Sequence, residues 1–413
     1  LHGAGRGVYS SSMESAITEL VHIVLRWVHL IAGIMWIGNS MLFNWLDRNL
    51  EKRAGAQGPE HIGQMWMVHS GGFYLVEKLM LPPGKLPTTL HWFKWQNGVT
   101  WLSGISLMIL VFYMGGAALM IDPAVASLSP QTAVVASVVS LVAAFALYHG
   151  VWRSPLRLSP PIATGFTVAI VLFFSMLYFK LYSGRAAYVH VGVLLGTLMT
   201  GNVWFCIVPS QRELVAATAE GRAQDPAIGD QAKQRSIHNN YFTFPLLFIM
   251  LSNHFPSTFG HKHGWVILTV LALSSATIRH LMNIRFGRPT KGWLWAAIGV
   301  GAAALAVIYG MIAQGAPAPR PVSRERTVAY AEVRGILQRR CLECHSFAPT
   351  SAVYRIAPNG VMFDSGTEVR RHAQNIKTRA VVLRTMPLGN TTHITDAERE
   401  TLGRWIDEGA HTE

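Results

Sequence analysis

Charge is what this chain has least of. Only 14% of its 413 residues are Asp, Glu, Lys or Arg, while half are hydrophobic. That balance excludes an ordinary water-soluble globule and points to apolar runs long enough to cross a bilayer. Acidic residues are the scarcer sign, 22 against 35 Lys and Arg, for a formal net charge of +13. Such an excess can mark a nucleic-acid partner, but no compact basic stripe interleaved with aromatics is present, and nucleic acid is not an expected partner. Cysteine is rarer still. With three in the chain, a disulfide framework is excluded, and a structural zinc knuckle lacks the second Cys/His pair it needs.

Two of the three cysteines form the most specific motif in the chain, Cys341-Leu342-Glu343-Cys344-His345. This C-x-x-C-H pattern is the attachment signal for a c-type haem. Two thiols on one turn can form thioethers to the porphyrin vinyls, and the next imidazole falls under the iron as its proximal ligand. One covalent haem c is therefore expected on Cys341 and Cys344, with His345 as axial ligand. Cys206, far upstream in an apolar run, is left for core packing.

The apolar runs divide into eight expected spans, near 17–43, 99–121, 131–152, 161–182, 188–208, 240–257, 265–285 and 293–314. With the amino terminus outside, the inner loops hold fifteen Lys and Arg and the outer segments before the last span hold four. The positive-inside rule thus places both termini on the outer, periplasmic face of a bacterial inner membrane, where haem c is attached. Met13 is the expected initiator, and no cleavable signal is visible ahead of the first long run. The loop at 44–98, with His91-Trp92-Phe93-Lys94-Trp95, reads as an amphipathic segment on the inner interface. The domain plan is a membrane domain at 13–314, a Pro-rich linker at 315–323 and a soluble domain at 324–413. The fold class is all-α, a polytopic membrane helix bundle followed by that soluble domain.

The soluble part opens with an amphipathic helix at 326–340 that runs into the haem motif. It closes with a helix near 395–409, where Thr395 and Glu398 form a capping box. Between them lies Thr385-Met386-Pro387-Leu388-Gly389. Together these features resemble a class I cytochrome c, and that resemblance implies Met386 as the distal iron ligand. Met362, His372 and His393 are its rivals. A thioether opposite imidazole favours ferrous iron and raises the potential.

Polar side chains inside spans are costly and often functional. Here they include His22, Arg26 and His29 on one helix face, then His149, His190, Asn202, His238-Asn239-Asn240, Asn253-His254, and Arg279-His280 with Asn283. Any one of them can serve only as an interhelical hydrogen bond, but their number points to a polar cavity. Two readings stand side by side and do not exclude each other. Paired histidines could hold a b-type haem, or Arg and His could hold an anionic planar substrate, His accepting a heteroaromatic proton. For the second reading the candidate catalytic residues are Arg26, His29, His254 and His280.

The strings from Arg26 to Gly38, His238 to Pro245, Met250 to Pro256 and Thr385 to Asn390, in a chain of eight spans and a cytochrome c domain, resemble the membrane-bound, cytochrome-c-linked urate oxidases (urate hydroxylases) of bacteria. The resemblance runs from about Met13 to the end. It implies oxidation of urate to 5-hydroxyisourate. Electrons would pass through the fused haem to a soluble or membrane cytochrome or terminal oxidase, without release of hydrogen peroxide. The alternative is a membrane cytochrome that carries electrons from quinol without urate chemistry.

Overall fold

The computed structural model describes residues 4–51, 61–114, 117–223, 225–285, 291–315, 327–351, 354 and 356–412, with side chains from Ile17 onward. Most of the expected linker at 315–323 lies outside the described residues. The amino-terminal part is a helix bundle. Its elements are α1 (Ala4–Asn49), α2 (Trp95–Met108), α3 (Pro130–Val151), α4 (Pro160–Leu181), α5 (Gly184–Asn202), α6 (Val208–Ala219), α7 (Pro226–Leu251), the short α8 (Pro256–Phe259), α9 (Gly264–Ile284) and α10 (Gly292–Gly315). Among the described residues, seven helical stretches are long and apolar enough to cross a membrane, starting at Ile17, Trp95, Pro130, Pro160, Gly184, Gly264 and Gly292.

The expected eighth span, at 240–257, is not among these seven. Those residues form the second half of α7, whose first half is polar, and the chain turns out of the helix before Pro256. Pro fits the first turn of a helix because its missing N–H is unneeded there, so Pro256 opens α8 rather than extending α7. A five-residue π turn, Val203–Ile207, joins α5 to α6 just ahead of Pro209, which cannot donate the next helical hydrogen bond.

The all-α expectation is corrected at one place. Strands β1 (His61–His69) and β2 (Gly72–Leu79) form an antiparallel hairpin within the loop expected to be amphipathic. The local sequence explains it. Val, Tyr, Phe and Trp favour pleated backbone, and Ser70-Gly71 supplies the two positive φ angles, 49° and 76°, that a two-residue hairpin turn requires.

The bundle core packs α3, α4 and α5 around four fully buried tyrosines, Tyr148, Tyr178, Tyr182 and Tyr188. A second, separate core belongs to the C-terminal residues: Val333, Ile336 and Leu337 of α11 (Tyr330–Arg340), Val369 of α12 (Gly366–Arg371), Ile376 of α13 (Ala373–Ile376), and Leu402, Trp405 and Ile406 of α14 (Asp396–Asp407). The capping box at Thr395 and Glu398 forms as expected. Glu398 also accepts from Arg340 at 3.1 Å and so ties α14 to α11 beside the cysteine motif.

The two parts touch closely. Leu388 packs against the bundle core. Gly389 has φ of 55°, and a Cβ there would stand 2.3 Å from the Ile121 carbonyl oxygen, so only glycine fits. A Cβ on Gly260 of the bundle would stand 2.6 Å from Thr385.

Candidate active site

A cleft of about 2410 Å³ lies between the bundle and the C-terminal part. A pocket for one small ligand is roughly 300–1,000 Å³, so this space can hold more than one group. The bundle contributes His22, Arg26 and His29 of α1, Thr100 and Gly104 of α2, Arg185 of α5, and Asn253, His254 and Lys262 from the turns around α8. The opposite wall carries Cys341, Cys344, His345, Tyr354, His372 and Met386.

The bundle wall is cationic and partly fixed. Arg185 donates from Nε to Asn253 Oδ1 at 3.0 Å, and the Tyr354 phenol faces it across the cleft, near enough to act on it electrostatically. Arg26 and Arg379 lie close enough to act on Arg185 electrostatically. Burial pushes the Tyr354 phenol above its ordinary range, and Arg185 opposes that shift. His29 has a defined tautomer. Its Nδ1 is 2.9 Å from the Thr100 carbonyl oxygen, which can only accept, so Nδ1 carries the proton and Nε2 keeps a free lone pair. Ser103 Oγ also lies 3.1 Å from Nδ1. Gly104 permits this close approach, since a Cβ there would stand 2.9 Å from His29 Cε1.

On the other wall, Cys341 follows directly from α11, its N–H bonded to Leu337 O at 2.8 Å, and His345 N–H returns to Cys341 O at 2.9 Å. This single turn keeps both thiols and the imidazole together. His345 Nδ1 donates to Val361 O at 2.9 Å, which leaves Nε2 for a metal. Burial lowers the His345 pKa and so favours the neutral, ligating ring. Burial also pushes the Cys341 thiol up to about 12 and raises that of Cys344. Met386 is held on both sides of its backbone: its N–H bonds Arg379 O at 3.1 Å, and its carbonyl accepts from the buried Arg399 at 2.8 Å. Of the rivals to Met386, His372 lines the cleft while Met362 and His393 do not. Among the described residues, no group of three or more His, Cys, Asp or Glu could hold a metal ion by itself. Two thiols, a half-free imidazole and a thioether around one large cleft do fit a covalently held haem.

The remaining polar residues sit elsewhere. His280 bonds Tyr241 OH through Nδ1 at 2.7 Å and does not line the cleft. It lies about 24 Å along α9 from Gly264, which does. His190 has both nitrogens engaged, by Ser137 Oγ at 2.8 Å and Ala186 O at 2.7 Å, so it has none for an iron. Asn202 donates to Tyr148 OH and Asn239 Oδ1, both at 2.8 Å, and His238 joins through Tyr148 OH at 2.7 Å. The cleft therefore unites Arg26, His29 and His254 and leaves His280 apart. Arg185 and Tyr354 were not singled out by sequence. For Arg185 the available signal was a cation at the very start of the most buried span.

The sequence model of a family described as Urate oxidase N-terminal matches residues 15–311, nearly all of the bundle. The chain belongs to that family. Membership ties the bundle to urate oxidation, with urate as substrate at the level the family defines. The match stops short of the C-terminal domain, which carries Cys341, Cys344, His345 and Met386. Comparison with curated proteins and with solved structures gave no match.

Proposed function

We propose that the protein oxidises urate to 5-hydroxyisourate in the inter-domain cleft, as a membrane-bound, cytochrome-c-linked urate oxidase whose C-terminal domain is a class I cytochrome c. The observation that carries this reading is the shared cleft: cationic side chains of a urate-oxidase-family bundle face the C-x-x-C-H motif and Met386 across one space.

The reaction takes urate and water to 5-hydroxyisourate with release of two protons and two electrons. Urate is a planar anion at neutral pH, and Arg26 and Arg185 offer guanidinium forks that match its oxygens and ring nitrogens. His29 Nε2 is the proton acceptor on the bundle wall, for an N–H of the substrate or for the attacking water. His254 is a second acceptor at the mouth. Tyr354, facing Arg185 across the cleft, helps to orient that guanidinium. Cys341 and Cys344 would hold haem c, and His345 and Met386 would be the ligands offered to its iron. When bound, that haem supplies one-electron chemistry, so the electrons leave singly towards a cytochrome or terminal oxidase and no peroxide forms.

The test is a reduced-minus-oxidised spectrum of membranes containing the protein. Urate should bleach the oxidised and raise the reduced c-type bands under anaerobic conditions. If urate leaves the haem oxidised and a quinol reduces it promptly, the protein is instead a quinol-linked electron carrier.

A further inference from the structure

The end of the bundle away from the C-terminal domain holds a second, smaller pocket of about 300 Å³ between α1 and α9. Asn44, Trp45, Arg279, Asn283 and Arg285 supply its polar walls, and Met41, Leu42 and Met282 its apolar ones. Arg279 is only 6% exposed. Among the described residues its one hydrogen bond runs from Nε to Asn240 Oδ1 at 2.9 Å, and the side chain lines the pocket. Asn283 donates to the same oxygen at 2.9 Å, and among the described residues Asn240 Nδ2 is buried without a partner. Arg48 bonds the Asn283 carbonyl at 2.7 Å. Arg48 and Arg285 are both near enough to act on Arg279 electrostatically.

Three cations gather here, Arg279 over the Phe244 ring and Arg285 over the Trp293 ring, each at 5.4 Å. Among the described residues neither Arg48 nor Arg279 makes an ion pair, and the nearest acid in sequence, Asp47, is taken by Lys78 at 2.5 Å. A buried guanidinium without a counter-ion is costly, and neighbouring cations add to the cost. A bound anion with several acceptor oxygens removes both penalties. The site lies where α1 ends at Asn49 and α9 ends at Ile284, the depth at which headgroups meet a bundle, and Trp45 suits that interface. The apolar walls, with Leu42 exposed, suit the start of an acyl chain rather than a free ion.

We propose that this pocket binds the phosphate of an anionic phospholipid, so that one lipid bridges α1 and α9. The inference rests on the helices crossing a bilayer and is independent of the urate reading. It is tested with the intact protein in nanodiscs of phosphatidylcholine alone and of phosphatidylcholine mixed with phosphatidylglycerol, followed by native mass spectrometry. Phosphatidylglycerol should stay bound through detergent exchange, and Arg279→Gln should lower its retention about tenfold. Arg48→Gln, at an exposed position, should lower it less and serves as the variant that keeps the fold; haem content and monodispersity check both proteins. Retention unchanged in both variants overturns the proposal. So does equal occupancy by inorganic phosphate with no phosphatidylglycerol retained, which would make the site one for a free anion.

Discussion

Two polar clusters of the bundle, one towards each end, carry similar side chains and use them oppositely. Near the C-terminal domain, Arg26, His29, Arg185 and His254 line open space. Deeper and towards the other end, Tyr148, Asn202, Asn239 and His238 bond one another in a closed network, with Arg235 stacked over the Tyr148 ring. A polar residue inside a span is thus not a site in itself. What separates binding chemistry from structural adhesive is whether its hydrogen-bonding atoms face a cavity or a partner.

Substitutions can break or sharpen that contrast. The largest effect is expected at the far wall of the cleft, where Cys341→Ser with Cys344→Ser should abolish the haem stain that survives denaturing electrophoresis, and all urate-driven reduction with it. Next comes His29→Gln, which removes a general base and should slow urate-driven reduction by about 10²-fold or more while haem content holds. Arg185→Gln removes charge-assisted hydrogen bonds of about 1.5–3 kcal/mol, or roughly 10–100-fold in the same stopped-flow assay. If Asn202→Leu slows reduction as much as Arg185→Gln does, the contrast between the two ends collapses. The expected result for Asn202→Leu is a loss of about 1–3 kcal/mol of stability from unpaired Tyr148 and Asn239, with turnover per folded molecule preserved.

The smallest effect is at Glu398. Burial pushes its carboxyl up, but the Thr395 N–H and Arg340 outweigh that and hold it below the usual range. A depressed carboxylate stabilises the fold above its unfolded pKa, and that contribution is lost as pH falls through the folded value. Glu398→Ala should therefore lower the melting temperature of the C-terminal domain at pH 7, by the few degrees that about 1 kcal/mol of capping represents. The difference from wild type should shrink in acid.

Much of this was legible in the sequence, for physical reasons that differ by element. Cys341, Cys344 and His345 stand at fixed local spacing, so a string shows the motif, and the fold keeps it on one turn. The same holds for the capping box at Thr395 and Glu398. The hairpin at 61–79 is masked in the sequence by nearby Trp and Lys, which have the composition of an interfacial segment, although Ser70-Gly71 is a readable turn. The start of α7 was missed because its polar first half hides it from hydropathy. Arg26 and His280 could not be told apart by sequence, because their separation depends on which end of a packed bundle each occupies. Arg185 with Tyr354 is a contact between residues far apart in the chain, and no local pattern encodes it.

The fit at Gly389 and Gly260 has a kinetic meaning. A carrier domain on a tether shuttles, and its rate follows the reach of the tether. At these two points the C-terminal domain is seated on the bundle with no room for even a methyl group. On the proposed reading, the step inside the molecule is therefore a jump over one set distance, and crowding or viscosity should leave it alone. Traffic begins only where the electron leaves, because a seated relay must wait for its acceptor to come to it.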